Sequence, residues 1–227
     1  MGLTVALAKG RLADKTLDLF ARAGAVCPET REIMGETSRR LVFASEGTGL
    51  SFFMAKAPDV PTYVDYGAAD VGVTGKDTLL EGGRNLYEVL DLKFGVCRMV
   101  VAGYEETRDR LRHGNNLRVA TKYPRIALDY FSRRKQQTVE IVKLNGSVEL
   151  APIIGLADVI VDIVESGVTL AENGLSVLEE ITPLSARMVV NRASMKTRRS
   201  RVAELITQLK NALVSEGAFP KEADRER

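Results

Sequence analysis

Histidine is almost absent from this chain. The single one, His113, excludes zinc centres built on several histidines. Any Ser-His-Asp triad would depend on one residue in a polar turn, Arg112-His113-Gly114-Asn115-Asn116, with no Gly-x-Ser-x-Gly elbow to accompany it. Cysteine is scarce too: Cys27 and Cys97 are far apart, form no metal-type pair and fit a reducing cytoplasm better than a disulfide framework. No apolar run approaches the ~18 residues of a membrane span. The N-terminus enters a strand pattern at Leu3 without a leader, so a cytoplasmic protein with no membrane partner is expected. An excess of charge is also missing, since 32 basic against 30 acidic residues leave +2, which argues against a general nucleic-acid binder. The basic group Arg192, Lys196, Arg198, Arg199 and Arg201 has no interleaved aromatics to stack bases and reads as a solvated face or an interface.

What is present suffices for a substantial core. Hydrophobic residues make up 45% of 227, which excludes a disordered chain and allows one large domain or two small ones. The pattern is that of an α/β fold. Strands are expected over Leu3–Ala8, Leu41–Ala44, Leu50–Ala55 and Ala69–Gly75, with helices over Leu12–Ala23, over Asp59–Gly67 with Pro61 in its first turn, and from Lys76 onward. Leu90–Ala102 is long enough to leave one domain and enter another, so a hinge is placed there. Beyond it come a strand over Leu117–Thr121, a helix from Lys122 through Arg134, a strand over Val139–Leu144 and a short helix capped by Ser147 that contains Glu149. Leu175–Thr182 reads as a strand returning toward the first domain, completed by Ala186–Asn191. Met195–Leu213 reads as one helix with Val202, Leu205, Ile206, Leu209 and Leu213 on one face. The expected division is 1–92 with 183–217, and 93–182, leaving 218–227 as a disordered tail.

The most informative stretch runs from Gly155 to Leu175. Val159, Ile160, Val161, Ile163 and Val164 suit a strand covered on both faces, interrupted by Asp162, whose carboxylate is costly to bury without partners. Glu165, Ser166, Gly167, Val168 and Thr169 follow. Gly167 lets the backbone turn sharply beside a ligand, and Thr169 with Glu172 fits a capping box for a helix that stops at Gly174. A loop opening a helix offers unpaired N–H groups and the positive end of a dipole. An ordinary strand–turn–helix connection shares several of these features; the acidic residues, the turn and the capping box together favour a phosphate cradle, with Asp162 and Glu165 placed for sugar hydroxyls. Lys9-Gly10-Arg11 puts two cations at the carboxyl end of a strand beside a helix start, where open α/β sheets bind ligands; a basic surface turn is the alternative. Arg39 and Arg40 point to opposite strand faces, so only one can serve a site. Lys56 is a weaker phosphate candidate. Asp70 and the turn Thr74-Gly75 are candidate nucleotide contacts, or else parts of a buried strand and its turn. Thr121 and Lys122 again sit where a strand meets a helix.

In this order the motifs Lys9 to Leu12, Asp59 to Leu80, Thr121 to Pro124 and Leu144 to Leu175 resemble ATP phosphoribosyltransferase, the first enzyme of histidine biosynthesis. The resemblance covers about residues 3 to 215. It implies two α/β domains of the type II periplasmic-binding-protein kind, with the active site in the cleft between them. ATP would bind on the first and 5-phosphoribosyl pyrophosphate (PRPP) on the second. Glu165, Ser166, Gly167, Val168 and Thr169 would hold the 5-phosphate, and Asp162 with Glu149 the ribose hydroxyls. Lys9, Gly10, Arg11, Asp70, Thr74 and Gly75 would serve ATP, with Arg11 and Arg39 catalytic at the triphosphate and the leaving pyrophosphate. Mg²⁺ is implied, held mainly through PRPP and pyrophosphate oxygens rather than by protein ligands. The chain looks like the short form without a C-terminal histidine-binding domain. That form works with a separate regulatory subunit resembling histidyl-tRNA synthetase, in a hetero-octamer containing dimers of this chain. Two other readings stay open: a non-catalytic solute-binding module of the same fold, and a phosphoribosyltransferase acting on a free base.

Overall fold

The computed structural model describes residues 2–33, 41–114 and 116–215. Two compact units divide the chain. One holds the described residues through Gly95 and from Ser185 on; the other is Val96–Leu184. The sequence alone suggested crossings at 92/93 and 182/183. The tail expected at 218–227 lies outside the described residues.

Along the chain the first unit contributes β1 (Leu3–Ala8), α1 (Arg11–Arg22), α2 (Pro28–Ile33), β2 (Val42–Ser45), β3 (Leu50–Ala55), α3 (Val60–Asp65), β4 (Val71–Gly75), α4 (Lys76–Gly82) and β5 (Tyr87–Asp91). The second unit holds β6 (Cys97–Gly103), α5 (Arg108–His113), β7 (Leu117–Thr121), α6 (Pro124–Leu128), β8 (Val139–Lys143), α7 (Leu150–Ile153), β9 (Val159–Val164), α8 (Val168–Glu172) and β10 (Ser176–Leu184). Back in the first unit lie β11 (Ala186–Val190), α9 (Arg192–Thr197) and α10 (Arg199–Ser215).

The first sheet has the order β2-β3-β1-β4-β11-β5, the second β10-β6-β9-β7-β8. In the first, β1 runs parallel to both β3 and β4. Its alternate residues go to opposite faces: Leu3, Val5 and Leu7 pack with Leu17, Phe20 and Phe52, while Ala6 and Ala8 pack with Val60 and Val64. A strand covered on both sides needs a nearly continuous apolar run, which is why Leu3–Ala8 carries a single polar residue, Thr4, near its start and no polar alternation. In the second sheet β9 runs parallel to β7 and antiparallel to β6. Val159, Ile160 and Val161 are fully buried, and Ile160 and Val164 share a core with Leu170 and Leu175. Burying each such aliphatic side chain contributes about 1.5–3 kcal/mol, so these cores hold the carboxyl ends of β1 and β9 in place.

Several elements differ from the sequence reading. The helix expected over Met195–Leu213 is two. It begins at Arg192, because Asn191 caps it by accepting from the Ala193 and Ser194 N–H groups at 2.9 and 3.0 Å. It breaks at Arg198, whose guanidinium donates to Asp70 Oδ2 at 2.8 Å. Apolar periodicity starts after the cap and cannot register it. The helix expected from Lys122 begins at Pro124, and its second half, Asp129–Arg134, winds as a π-helix. His113 ends α5 rather than sitting in a turn.

Candidate active site

At the carboxyl end of β9 a concavity of about 220 Å³ is lined by Glu149, Asp162, Ile163, Val164, Glu165, Ser166, Gly167, Thr169 and Leu170. Two larger depressions lie in the first unit, but neither brings carboxylates and a helix start together at the carboxyl end of a buried strand. Of the seven residues read as the phosphosugar site, all but the exposed Val168 line the concavity. The strand reading missed Ile163, Val164 and Leu170. Period-two alternation was the available signal for Val164, which shares a strand face with Asp162.

Gly167 sets the turn with φ 82° and ψ 3°, a left-handed conformation that glycine adopts without steric penalty. The expected capping box does not form. The helix starts two residues before the place a Thr169 cap would give it, at Val168, with Gly167 as its cap and no side-chain cap hydrogen bond. The Val168 N–H instead donates to Ser166 Oγ at 3.4 Å, and the Thr169 carbonyl accepts from Asn173 Nδ2 at 2.8 Å. The half-buried Asp162 accepts from the Ile163 N–H through Oδ1 at 2.8 Å. Ser147 does not cap α7 through its side chain. Its backbone is left-handed, with φ 47°, and its carbonyl accepts from the Leu150 N–H at 3.2 Å, so Glu149 falls just before the helix.

The second constellation lies in the first unit. The parallel strands β1, β3 and β4 end along one edge, where Lys9-Gly10-Arg11, Lys56 and Thr74-Gly75-Lys76 emerge. The Lys9 N–H donates to the Ala55 carbonyl at 2.9 Å, tying two strand ends together. Gly10 has φ 98° and ψ −162°, a region open essentially to glycine alone, and α1 starts at Arg11 on its far side. Lys9, Arg11 and Lys56 are exposed. Lys76 pairs with Glu88, which also meets Arg187 at 3.1 Å. Thr74 is fully buried, its hydroxyl donating to the Ala57 carbonyl at 3.4 Å, so it offers the edge a backbone rather than a side chain.

Asp70 is not brought to this edge. It precedes β4, whose five residues put roughly 17 Å between it and Gly75. There its carboxylate accepts from the Thr4 N–H at 2.8 Å, Ser194 Oγ at 2.6 Å and Arg198 at 2.8 Å. A buried carboxylate with three partners anchors the α9–α10 break to the sheet. Arg39 and Arg40 lie outside the described residues.

A family model described as ATP phosphoribosyltransferase (HisG) matches residues 56–211. The chain belongs to the ATP phosphoribosyltransferase family. It is 58% identical over 215 residues to the ATP phosphoribosyltransferase of Lachnospira eligens, covering 95% of this chain and 98% of that one. With that of Lachnoclostridium phytofermentans it shares 60% over 211 residues, covering 93% and 97%. Among solved structures it resembles the ATP phosphoribosyl transferase (HisG:HisZ) complex from Thermotoga maritima, with a TM-score of 0.77, 36% identity, and coverage of 94% of this chain and 99% of that chain. The α/β fold with two mixed sheets is thus that of the family. The matched span contains the whole concavity in the second unit, while Lys9 to Arg11 precede it.

Among the described residues no three His, Cys, Asp or Glu side chains gather closely enough to hold a metal ion, and no helix is long and apolar enough to cross a membrane.

Proposed function

We propose that this chain transfers the phosphoribosyl group of PRPP to N1 of ATP, giving N1-(5-phosphoribosyl)-ATP and pyrophosphate, the first step of histidine biosynthesis. The observation that carries this reading is the concavity after β9, where Glu149, Asp162 and the Glu165–Thr169 turn meet in a chain of this family. The 5-phosphate sits against the N–H groups that open α8 and the hydroxyls of Ser166 and Thr169. Asp162 and Glu149 accept from the ribose hydroxyls. Lys9 and Arg11 meet the triphosphate and the pyrophosphate, and the backbone at Thr74-Gly75 borders the nucleotide.

In the reaction the N1 lone pair forms a bond to the anomeric carbon as the bond from that carbon to pyrophosphate breaks, with inversion. The nucleophile carries no proton that must be removed, so the scarcity of histidine is no obstacle. The chain's task is to hold two polyanions in line, and such orientation lowers a barrier by as much as ~7–11 kcal/mol. Cations must take up charge developing on the leaving group. Mg²⁺, when bound, supplies further neutralisation of pyrophosphate oxygens. The donor set fits an ion carried mainly by substrate oxygens, since the concavity offers separate carboxylates and no cluster of three. The likeness to the Thermotoga maritima complex supports a HisZ-like regulatory partner and a hetero-octamer containing dimers of this chain.

The test is pyrophosphate release from PRPP and Mg²⁺, with ATP present or omitted, by this chain alone and with the regulatory subunit. ATP-dependent release in either mixture is expected. Release with adenine, guanine or orotate in place of ATP would move the assignment to a free-base transferase. Silence in both mixtures, with the partner bound, would leave a binding module.

A further inference from the structure

Thr121 is not among the residues that line the concavity, yet both carboxylate-bearing segments are bonded to it. It is the last residue of β7, fully buried, and stands in register between Lys143 of β8 and Val161 of β9. Its hydroxyl donates to the Val161 carbonyl at 2.6 Å, one residue before Asp162. The same oxygen accepts from the Tyr123 N–H at 2.8 Å, where the chain turns into α6. Its carbonyl accepts from the Leu144 N–H at 3.0 Å, where the chain leaves β8 toward Glu149. Of the other buried threonines, Thr16 bonds the carbonyl four residues back, Thr74 makes a 3.4 Å bond to the Ala57 carbonyl, and Thr30 joins Cys27 Sγ and the Ala44 carbonyl at 2.9 and 3.3 Å within the first unit.

We propose that Thr121 is a positioning residue for the PRPP site, setting the spacing between the Asp162 strand and the Glu149 loop through its hydroxyl and its carbonyl. The inference rests on the proposed function. Its physical basis is the asymmetry of buried hydrogen bonds. A valine fills the same space but removes the hydroxyl's bonds to the Val161 carbonyl and the Tyr123 N–H in a buried setting, so the backbone at β9 loses a fixed point and shifts. Asp162 moves with that backbone, and small misplacements of substrate-holding groups have large effects. The ATP-side residues lie in the other unit and are untouched.

The experiment compares wild type, T121V and T121S by calorimetric titration of PRPP and by KM for PRPP and for ATP. T121V should weaken PRPP affinity about tenfold or more while KM for ATP changes by less than about twofold, and T121S should restore PRPP affinity. Wild-type PRPP affinity in folded T121V would overturn the inference, as would equal losses for ATP and PRPP. Should T121V fail to fold, T121C keeps the volume with a weaker donor. A PRPP-selective loss is expected there, and unchanged PRPP affinity would overturn the proposal. A wild-type chain that does not bind PRPP would sink the functional reading and this inference together; a working wild type beside an unaffected T121V would sink the inference alone.

Discussion

The turns after β1 and after β9 share a backbone plan and carry opposite charge. Each leaves the carboxyl end of a buried strand, passes through a glycine at positive φ, 98° at Gly10 and 82° at Gly167, and enters a helix at the next residue. At β1 the side chains are cations, Lys9 and Arg11; at β9 they are the carboxylates of Asp162 and Glu165. A helix start attracts anions in both places. In the proposed function the added side chains then separate the tasks, cations for polyphosphate and carboxylates for sugar hydroxyls. Anchorage differs as well. The twelve-residue α1 is held by several buried residues, Leu17 and Phe20 among them, whereas the five-residue α8 buries only Leu170. The second turn therefore depends more on its own backbone and on the strands beneath it.

Four substitutions would break or sharpen this comparison. Gly167→Val forces a β-branched residue into the left-handed region and should abolish PRPP binding, measured by calorimetry, while the chain still unfolds cooperatively; unchanged affinity would remove the cradle assignment. Arg11→Ala should lower kcat about a hundredfold and weaken PRPP binding far less, since the proposed function sets it against the departing pyrophosphate. Equal losses in both would reduce Arg11 to a plain binding group.

Asp158→Asn separates the β9 strand from its loop. Asp158 lies at the amino end of β9, accepting from the Arg118 N–H at 2.8 Å and from Arg110 at 3.2 Å. Burial opposes its charged form, but the Arg118 amide and the Arg110 and Arg118 guanidiniums outweigh burial and hold its pKa below the usual carboxylate range. The folded chain then binds this proton less readily than the unfolded one, so the stabilisation is complete above about pH 4 and fades as pH falls through the lower folded value. The substitution should cost about 1–3 kcal/mol at pH 7 and progressively less below pH ~4 by denaturant unfolding, leaving PRPP affinity of the folded chain unchanged. A pH-independent loss would show that the carboxylate's charge is not what matters.

The smallest effect is expected at Ser147, a non-glycine residue at φ 47° beside Glu149. Glycine there relieves a left-handed strain of roughly 1–2 kcal/mol but gives up about 0.5–1 kcal/mol in chain entropy. Ser147→Gly should therefore leave stability unchanged or raise it by up to about 1.5 kcal/mol in thermal unfolding, in contrast to Gly167→Val. A clear loss of stability would mean the Ser147 side chain holds something the backbone does not.

Much of both turns was legible because strand, glycine and helix leave local marks. The apolar runs at Leu3–Ala8 and Val159–Val164, Gly167 in its turn and Gly24 after α1 could all be read from neighbours in sequence. The failures share a cause. The Thr169–Glu172 capping box is a good local pattern, yet a glycine at the cap with its own φ starts the helix earlier. Asp70 looked like a ligand because it flanks a buried strand, but its partners Thr4, Ser194 and Arg198 come from distant parts of the chain. Thr121 could be placed where a strand meets a helix, but nothing local marked its hydroxyl's bond to a carbonyl forty residues away.

By itself the sequence determined the alternation of strands and helices, the charge of each turn and the family, because these follow from side-chain pattern and residue type. Tertiary structure alone decided which carboxylates face one concavity, that Asp70 faces the opposite edge from Lys9, and that Thr121 joins three strands. Those outcomes depend on strand order and register, and a hydrogen bond across parallel strands is set by where each crossover returns, which no local pattern records.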